Sequence, residues 1–277
     1  MKMVRKTIAN IISKAAMAVD RTIHGIVVCL IALVFVVPAC VQDTNSDSEM
    51  PASAHELVLV AGATGRTGQK VVSELLSKGY RVRAFVRNVD TAREKLGADI
   101  DFAEGDVRQR ETIDAALDGV SAIISSIGAG RGDPSNGPEF VDYGGVKNLV
   151  EAAVDAGLSQ FVLVSSMGAT RTDHELNKMF NNILIWKFKG EEAVRNSGVP
   201  YTIVRPGGLT DDTGGEHAML FLQGDEGQGR IPRADVARVL VAALSLPEAR
   251  SKTFELISGE GSPSMELRSQ FAAMEED

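Results

Sequence analysis

Three regularly spaced glycines are the first residues in this sequence whose pattern predicts a binding site. Gly62, Gly65 and Gly68 follow directly on the short apolar segment 57–61, and apolar residues then recur at helical spacing. A strand, a glycine-rich loop and a helix in this order can hold a pyrophosphate, because backbone N–H groups at the start of the helix face the anion. The first glycine permits a tight turn, the second lets the phosphates approach, and the third allows close packing of helix and strand. The GxxGxxG spacing therefore predicts a dinucleotide site.

Two arginines favour a dinucleotide that carries an additional phosphate. Arg87 ends the predicted second strand, 82–86, where an NAD-binding fold usually has Asp or Glu to hold the ribose 2′-hydroxyl. Arg66 lies within the glycine loop itself. Two guanidinium groups can bind a 2′-phosphate bidentately and balance its charge. We therefore predict NADP (NADPH) as the cofactor, with NAD less favoured. The alternative is that Arg87 is only a solvated charge at the end of a strand.

Alternating strands and helices are predicted to position these residues. The segment 57–61 is short, apolar and rich in β-branched residues, as in a strand buried on both faces. Further strands are predicted at 82–86, 101–103, 121–125, 161–164, 201–204 and 253–257, with helical segments between several of them. Such alternation is typical of an α/β fold with a doubly wound parallel sheet. Ligands bind such sheets at the carboxyl ends of the strands, so the cofactor loops are expected there.

Composition restricts the kinds of ligand and of site. The 277-residue chain has a net charge of −8, and an acidic body disfavours nucleic acid as a partner. Its two cysteines, Cys29 and Cys40, both precede the predicted domain, and its four histidines lack metal-ligand spacing. We therefore expect no metal site, and a small molecule as the substrate.

The N-terminal region has the features of an export or membrane-attachment segment. The apolar run 26–37 has the length of a signal-peptide core and follows a basic stretch. Val-Pro-Ala-Cys, ending at Cys40, is similar to a lipobox. Residues 1–40 are therefore predicted to be a signal peptide or membrane anchor, followed by a flexible linker over 41–55, and we expect membrane association with lipid attachment at Cys40. Two alternatives stay open: an uncleaved anchor, or a true start at Met50 that would make the protein cytoplasmic.

Seven segments, in order along the chain, carry a resemblance to a known family. They are VLVAGATGRTGQKVV, VRAFVRN, EGDV, VDYGGVKNLVEAA, FVLVSSMGAT, NILIWKFKGEEAVRNSGVPYTIVRPGGL and IPRADVARVLVAAL. On these segments, which span about residues 57–258, the sequence resembles the atypical short-chain dehydrogenase/reductase family, in its NmrA-like, plant-type NAD(P)-binding branch. The resemblance implies an NAD(P)-binding Rossmann domain, which we place at 56–261, with a small C-terminal substrate lobe. Residues 262–277 are expected to form a disordered tail.

The resemblance also implies which residues bind NADP. Around the pyrophosphate and the adenosine they are, together with the three glycines, Thr64, Arg66, Thr67, Arg87, Asp106 and Val107. After the fourth strand they are Ser125, Ser126 and Ile127, and toward the nicotinamide they are Ser165, Lys187 and Pro206.

The catalytic residues of the family are only partly present. Standard members use Ser, Tyr and Lys: the tyrosine exchanges a proton with the substrate oxygen, and the lysine lowers the pKa of that tyrosine and holds the ribose. Lys187 matches the lysine, but Ile183 stands four residues earlier, where the tyrosine belongs. Ser166 is the candidate catalytic serine, although Met167 can also be aligned at that position.

Two other groups could carry proton chemistry. A Tyr-x-x-x-Lys pattern at Tyr143 and Lys147 precedes the serine strand, so it cannot take the standard role by the same geometry, and we interpret it as helix packing. His174 and Lys178, in the insertion after the serine strand, could supply a proton donor, or could simply be solvated.

These features support two functional hypotheses. The first is an NADP-dependent oxidoreductase that reduces a small carbonyl or quinone-like acceptor without the usual tyrosine. The second is a non-catalytic NADP(H)-binding sensor or scaffold protein, which the missing tyrosine motivates. The retained lysine and the intact glycine loop favour the first, and the sequence identifies no protein partner.

Overall fold

A parallel sheet covered by helices forms the part of the chain that the computed structural model describes, residues 56–98, 100–130, 133–263 and 266–277. The strands are β1 (Leu57–Ala61), β2 (Arg81–Val86), β3 (Asp101–Glu104), β4 (Val120–Ser125), β5 (Gln160–Val164), β6 (Tyr201–Pro206), β7 (Gly208–Thr210), β8 (Met219–Leu222), β9 (Arg230–Pro232) and β10 (Lys252–Ser258). The helices are α1 (Arg66–Ser77), α2 (Val89–Leu96), α3 (Arg110–Ala116), α4 (Val146–Asp155), α5 (Glu175–Met179), α6 (Ile183–Arg195), α7 (Arg233–Ser245) and α8 (Leu267–Ala272). A π-helix, Glu139–Gly145, runs directly into α4.

The main sheet has the strand order β3-β2-β1-β4-β5-β6-β10-β8. The strands from β3 to β10 in this order are mutually parallel, and β8 pairs antiparallel with β10 at the edge. The chain reverses its direction of travel across the sheet between β1 and β4, and such a switch point opens a crevice at the carboxyl ends of the strands. The doubly wound parallel α/β fold predicted from the sequence is confirmed.

Two apolar cores cover the two faces of this sheet, and β1 contributes to both. Val58 and Val60 pack in the core that contains α1 and α7, whereas Leu57, Leu59 and Ala61 pack in the core that contains α3, α4 and α6. Every residue of β1 is therefore buried. Burial on both faces explains why this strand is a continuous apolar run instead of an alternating one.

The segment after β6 supplies the smaller elements. β7 and β9 pair in parallel as a separate two-stranded sheet, with the register Gly208 to Arg230 and Thr210 to Pro232. β8 extends the main sheet instead. β7 and β9 follow the end of β6, and Asp225, which lies between β8 and β9, contacts the loop that follows β5.

The prediction of a disordered tail is wrong for residues 266–277. Leu267 and Phe271 are buried on α8, and the Phe271 ring lies against the rings of Phe221 and Phe254, with centroids 5.9 Å away in both cases. Lys252 Nζ donates to the carbonyl oxygens at the end of this helix, at 2.8 Å for Phe271. The segment is polar and acidic overall, and this composition led to the prediction of disorder. Its two apolar side chains, four residues apart, lie on one face of the helix and are enough to pack it against the core.

The N-terminal predictions lie outside the described residues. This applies to the signal peptide or anchor over 1–40, to lipid attachment at Cys40, to the whole of the linker over 41–55, and to the start at Met50. Among the residues that the structure does describe, none of the helices combines the length and the apolar character that crossing a bilayer requires.

Candidate active site

The glycine loop between β1 and α1 forms a tight backbone turn against the end of β4. Gly62 has φ +81°, and a Cβ at this position would stand 2.8 Å from the backbone C and O atoms of Ser126. A Cβ on Gly68 would stand 2.1 Å from the Gly62 oxygen, so helix and loop meet without room for a side chain. α1 begins at Arg66 with no side-chain cap and no acidic residue in its first turn. Its first N–H groups therefore remain available to an anion.

A cavity of about 250 Å³ opens beside this loop, across the ends of β1, β2, β3 and β4. We call it the nucleotide cavity, because it adjoins the predicted dinucleotide loop. The predicted cofactor residues that line it are Gly62, Thr64, Gly65, Arg87, Asp106, Val107, Ser126 and Ile127. Sequence reasoning did not include its further lining residues, Phe85, Val86, Gly105, Gly128, Asn136 and Val141. The sequence therefore brings together loops from four strands, as an extended nucleotide requires.

The charges at the rim of the cavity are arranged in favour of an anion. Arg108 donates to both carboxylate oxygens of Asp106, and its hydrogen bond lowers the pKa of Asp106 below its usual range, with a smaller contribution from Arg87. Arg108 thereby balances the charge of the carboxylate. Arg87 itself lines the cavity and forms no ion pair with any of the described residues. Its guanidinium is left as a cation at the end of β2.

Arg66 lies outside the cavity. Its guanidinium forms an ion pair with Asp211, from the loop after β7, and Asp211 also accepts from Arg233 at the start of α7, at 2.8 Å. The glycine loop is thereby connected to the segment that follows β7. Both Arg66 and Asp211 are half-exposed or more, so this contact contributes little to stability. Thr67 is half-buried in the first turn of α1 and does not line the cavity.

A buried ion pair involves the lysine that the family resemblance singled out. Lys187 Nζ lies 2.8 Å from Asp142 Oδ1, and the Asp142 side chain is completely buried. Asp142 Oδ2 accepts from the Ala129 amide at 2.9 Å, in the loop that follows β4. The π-helix and α6 can approach because residue 190 is glycine: a Cβ on Gly190 would stand 2.5 Å from the Asp142 carbonyl oxygen. Asp142 therefore holds both the lysine and the loop beside the nucleotide cavity.

The other residues predicted near the nicotinamide have structural partners. Ser165 Oγ donates to Glu191 at 2.5 Å, and Ser166 Oγ donates to the Met167 carbonyl at 3.0 Å. Ser125 is buried in β4, and its hydroxyl has no hydrogen-bond partner among the described residues. Pro206, the last residue of β6, is buried and accepts from the Met167 amide at 3.1 Å.

A chain of buried charges lies behind Ser165. Glu191 accepts two hydrogen bonds from Arg205, at 2.9 and 2.6 Å, and Arg205 also donates to Glu255 at 3.2 Å. Burial works against the charge of Arg205, but the hydrogen bonds and charge of Glu191 raise its pKa above the usual range. Burial raises the pKa of Glu255, against the hydrogen bonds from Asp225 and Arg205. Ser165 is thus turned toward this network.

The loop after β5 is held from two sides by buried polar side chains. Asp225 accepts from the amides of Gly168 and Thr170, at 2.5 and 2.8 Å, and from the Thr170 hydroxyl. Asn177 donates to the carbonyls of Arg171 and Thr172 and accepts from the amide of Leu184 in α6. The loop that carries the candidate serine therefore has a fixed backbone.

Tyr143 and Lys147, which form the Tyr-x-x-x-Lys pattern, lie away from the nucleotide cavity. Tyr143 stacks on Trp186 with ring centroids 6.0 Å apart, and Lys147 Nζ lies 3.8 Å from Glu151. Both residues line an open groove of about 830 Å³ between α4 and α6, which shares no lining residue with the nucleotide cavity. The interpretation of Tyr143 as helix packing agrees with this stacking.

Sequence reasoning missed three residues that organise the site: Asp142, Asn177 and Asp225. For Asp142 a signal was available, because it lies four residues before the buried Val146 and seven before Leu149, on the buried face of one helix. Asp225 lies in a glycine-rich loop and is 57 residues away from Gly168 in the chain. No local pattern identifies such a contact.

Comparisons with known proteins agree with this geometry. The family described as NAD(P)H-binding matches residues 62–247. An uncharacterized chloroplastic protein of Arabidopsis thaliana is 40% identical over 241 residues, which is 77% of this chain and 74% of the relative. A sanguinarine reductase of Eschscholzia californica is 34% identical over 259 residues, covering 78% of this chain and 94% of the relative.

A solved structure of similar fold is an anaerobillin reductase from Escherichia coli, with 25% identity and a TM-score of 0.63, covering 75% of this chain and 100% of that one. The glycine loop, the cavity beside it and these matches all indicate a protein that binds NAD(P)H. The chain therefore belongs to the NAD(P)H-binding family, in the atypical short-chain dehydrogenase/reductase, NmrA-like group of oxidoreductases.

Proposed function

We propose that the protein is an NADP-dependent reductase of a small carbonyl or quinone-like acceptor. The observation that carries this proposal is the Lys187–Asp142 ion pair, held by the loop that leaves the nucleotide cavity. NADPH supplies a hydride when it is bound. The task of the chain is to bind and orient that cofactor and to polarise the acceptor oxygen, for which Lys187 and Ser166 are the candidates. Two relatives named as reductases support this class of reaction.

The preference for NADP over NAD rests on Arg87. This arginine lines the cavity and has no carboxylate partner among the described residues, whereas the neighbouring Asp106 is already balanced by Arg108. A 2′-phosphate would supply the negative charge that Arg87 has no other partner for among the described residues. An unphosphorylated ribose leaves the cation unmatched, so the difference between the two cofactors is expected to depend on this one side chain.

The alternative is a sensor or scaffold that binds NADP(H) without turning over a substrate. It is favoured by Ile183, which occupies the position of the tyrosine in standard members and offers no proton donor. The two functions share the nucleotide site. They differ only in whether hydride leaves the bound cofactor.

Nucleotide binding to the full chain, measured by calorimetry with NADPH and NADH, is the first test. We expect Arg87→Glu to weaken NADPH binding at least roughly 10- to 100-fold, the effect of losing one hydrogen-bonded charge pair, and to change NADH binding much less. Arg81→Glu, an exposed charge reversal at the other end of β2, is the matched control. Equal losses in both variants, or no binding by folded wild-type protein, would contradict the NADP assignment.

Hydride transfer is tested next, by following NADPH oxidation with a panel of quinones and aldehydes. Turnover that is lost in Lys187→Met, with NADPH still bound, supports the reductase. If the wild type binds NADPH but oxidises it with none of the acceptors, the sensor or scaffold function is favoured instead.

A further inference from the structure

The loop after β5 presents two side chains over a single glycine. Gly168 has φ +86°, and a Cβ built on it would stand 3.3 Å from Arg171 Nη2 and 3.4 Å from His174 Nε2. The two nitrogen donors therefore lie side by side over the glycine backbone. Both side chains are partly exposed, so an anion that approaches from solvent can meet both donors.

Arg171 has no partner for its charge. Its Nε atom is buried without a hydrogen-bond partner, and no ion pair joins its guanidinium to any residue that the structure describes. The nearby carboxylates do not serve it: Asp225 is saturated by backbone donors of the loop, and Glu175 pairs with Lys178. Asp173 is exposed. A partly buried guanidinium without an anion is costly unless a ligand completes it.

His174 adds a second donor with a defined orientation. Its Nδ1 accepts from the Leu176 amide at 3.1 Å, at the start of α5. In the neutral ring this hydrogen bond places the proton on Nε2, the nitrogen that faces Gly168. Arg171 and His174 thus offer two N–H groups on the same side of the Gly168 backbone.

The backbone that carries these donors is held by hydrogen bonds and lies at the carboxyl ends of the parallel strands. Asp225 fixes the amides of Gly168 and Thr170, and Asn177 connects the loop to Leu184, three residues before Lys187 in α6. β5 is the neighbour of β4, whose end lines the nucleotide cavity. A loop backbone fixed in this way positions the two donor residues before an anion binds.

We propose that Arg171 and His174 form an anion subsite for the acceptor, and that the substrate carries a carboxylate or similar oxyanion apart from its reacting oxygen. Calling the ligand a substrate rests on the proposed reductase function; the anion subsite itself does not. The class of ligand follows from the donors, because a guanidinium and an imidazole N–H together match the two oxygens of a carboxylate.

Benzoate is the probe that tests the subsite without any reaction. It is titrated by calorimetry into the full chain, with and without saturating NADP⁺. We expect Arg171→Gln to weaken benzoate binding by roughly 10- to 100-fold. Lys178→Gln, which removes the same charge from an exposed position seven residues away, is expected to leave binding unchanged. Arg171→Lys keeps the charge and is expected to retain part of the affinity, and thermal unfolding of each variant confirms that it is folded.

A second measurement connects the subsite to the acceptor. 4-Carboxybenzaldehyde and its methyl ester differ only in the anion, and Arg171→Gln is expected to raise KM for the acid and not for the ester. Benzoate that does not bind to the wild type, or that binds equally to Arg171→Gln and Lys178→Gln, overturns the subsite. Arg171-dependent benzoate binding without reduction of either aldehyde upholds the subsite and speaks against the reductase function.

Discussion

Asp225 is expected to stabilise the loop after β5 far more than an ordinary surface carboxylate does. Asp225→Ala removes the acceptor of three hydrogen bonds, from the amides of Gly168 and Thr170 and from the Thr170 hydroxyl. A hydrogen bond to a charged group contributes about 1.5–3 kcal/mol, and an unsatisfied buried donor costs about 1–3 kcal/mol. Because contacts within one network are not additive, we expect a loss of about 3 kcal/mol in the free energy of unfolding. For a domain of this size that lowers Tm by roughly 6–12 °C.

The charge of Asp225 also gives this contribution a defined dependence on pH. Burial raises the pKa of Asp225, but hydrogen bonds from Thr170 and Gly168 outweigh burial, so the pKa in the folded protein lies below the usual range. A lowered pKa means that the carboxylate stabilises the fold fully above the pKa of the unfolded chain, about 3.9. This stabilisation is lost as the pH falls through the lower folded-state pKa. The gap in Tm between wild type and Asp225→Asn is therefore expected to be widest near neutral pH and to close in acid.

Thermal unfolding as a function of pH measures the stability, and amide hydrogen exchange at Gly168 and Thr170 measures the local effect. Asp173→Ala is the matched control, because it removes an exposed carboxylate from the loop after β5 itself. Its Tm and its amide exchange are expected to match the wild type. If Asp225→Ala and Asp173→Ala lower Tm equally, or if exchange at Gly168 is unchanged in Asp225→Ala, the loop is not held by this carboxylate.

Two further predictions concern the glycine loop and the C-terminal helix. Gly62→Ala and Gly79→Ala both place a side chain at positive φ, but only Gly62 has backbone atoms within 3 Å of the new Cβ. We expect Gly79→Ala to cost about 1–2 kcal/mol and to keep nucleotide binding, and Gly62→Ala to cost more and to abolish binding in a calorimetric titration. Equal NADPH affinity in the two variants would contradict the close approach of this loop to β4. Phe271→Ala is expected to destabilise the domain by about 3–5 kcal/mol in denaturant unfolding, because the Phe271 ring is fully buried. A change below about 0.5 kcal/mol, as expected for an exposed position, would mean that α8 is not part of the core.

Local patterns in the sequence predicted the parts of the site that local chemistry determines. The glycine loop is confined to Gly62–Gly68, and its neighbours β1 and α1 differ sharply in apolar periodicity, so both the fold and the candidate phosphate loop could be derived. Arg87 could be derived as well, because it directly follows a strand whose position the sheet fixes.

The contacts that the sequence did not predict join distant segments. Asp142 reaches Lys187 across two helices, and Asp225 reaches a loop on the far side of β6. The direction of a side chain decides such contacts: Ser165, predicted to face the nicotinamide, turns instead toward Glu191. Arg66, predicted to reach the cofactor, pairs with Asp211. Residue type and spacing along the chain do not determine direction at this level.

Under the proposed function, several donors that are held in place take the part of the single tyrosine acid of standard members. In the standard arrangement a lysine adjusts the pKa of a tyrosine, so proton transfer depends on one group. Here Ile183 stands at the position of that tyrosine. Lys187 is held by its ion pair with Asp142. The loop that carries Arg171 and His174 is held by hydrogen bonds to other side chains, those of Asp225 and Asn177. Fixed donors stabilise developing negative charge without reorganising as it appears. Under the proposed function, the partners that fix the donors should therefore matter to turnover nearly as much as the donors themselves, and their loss should lower kcat more than it weakens cofactor binding.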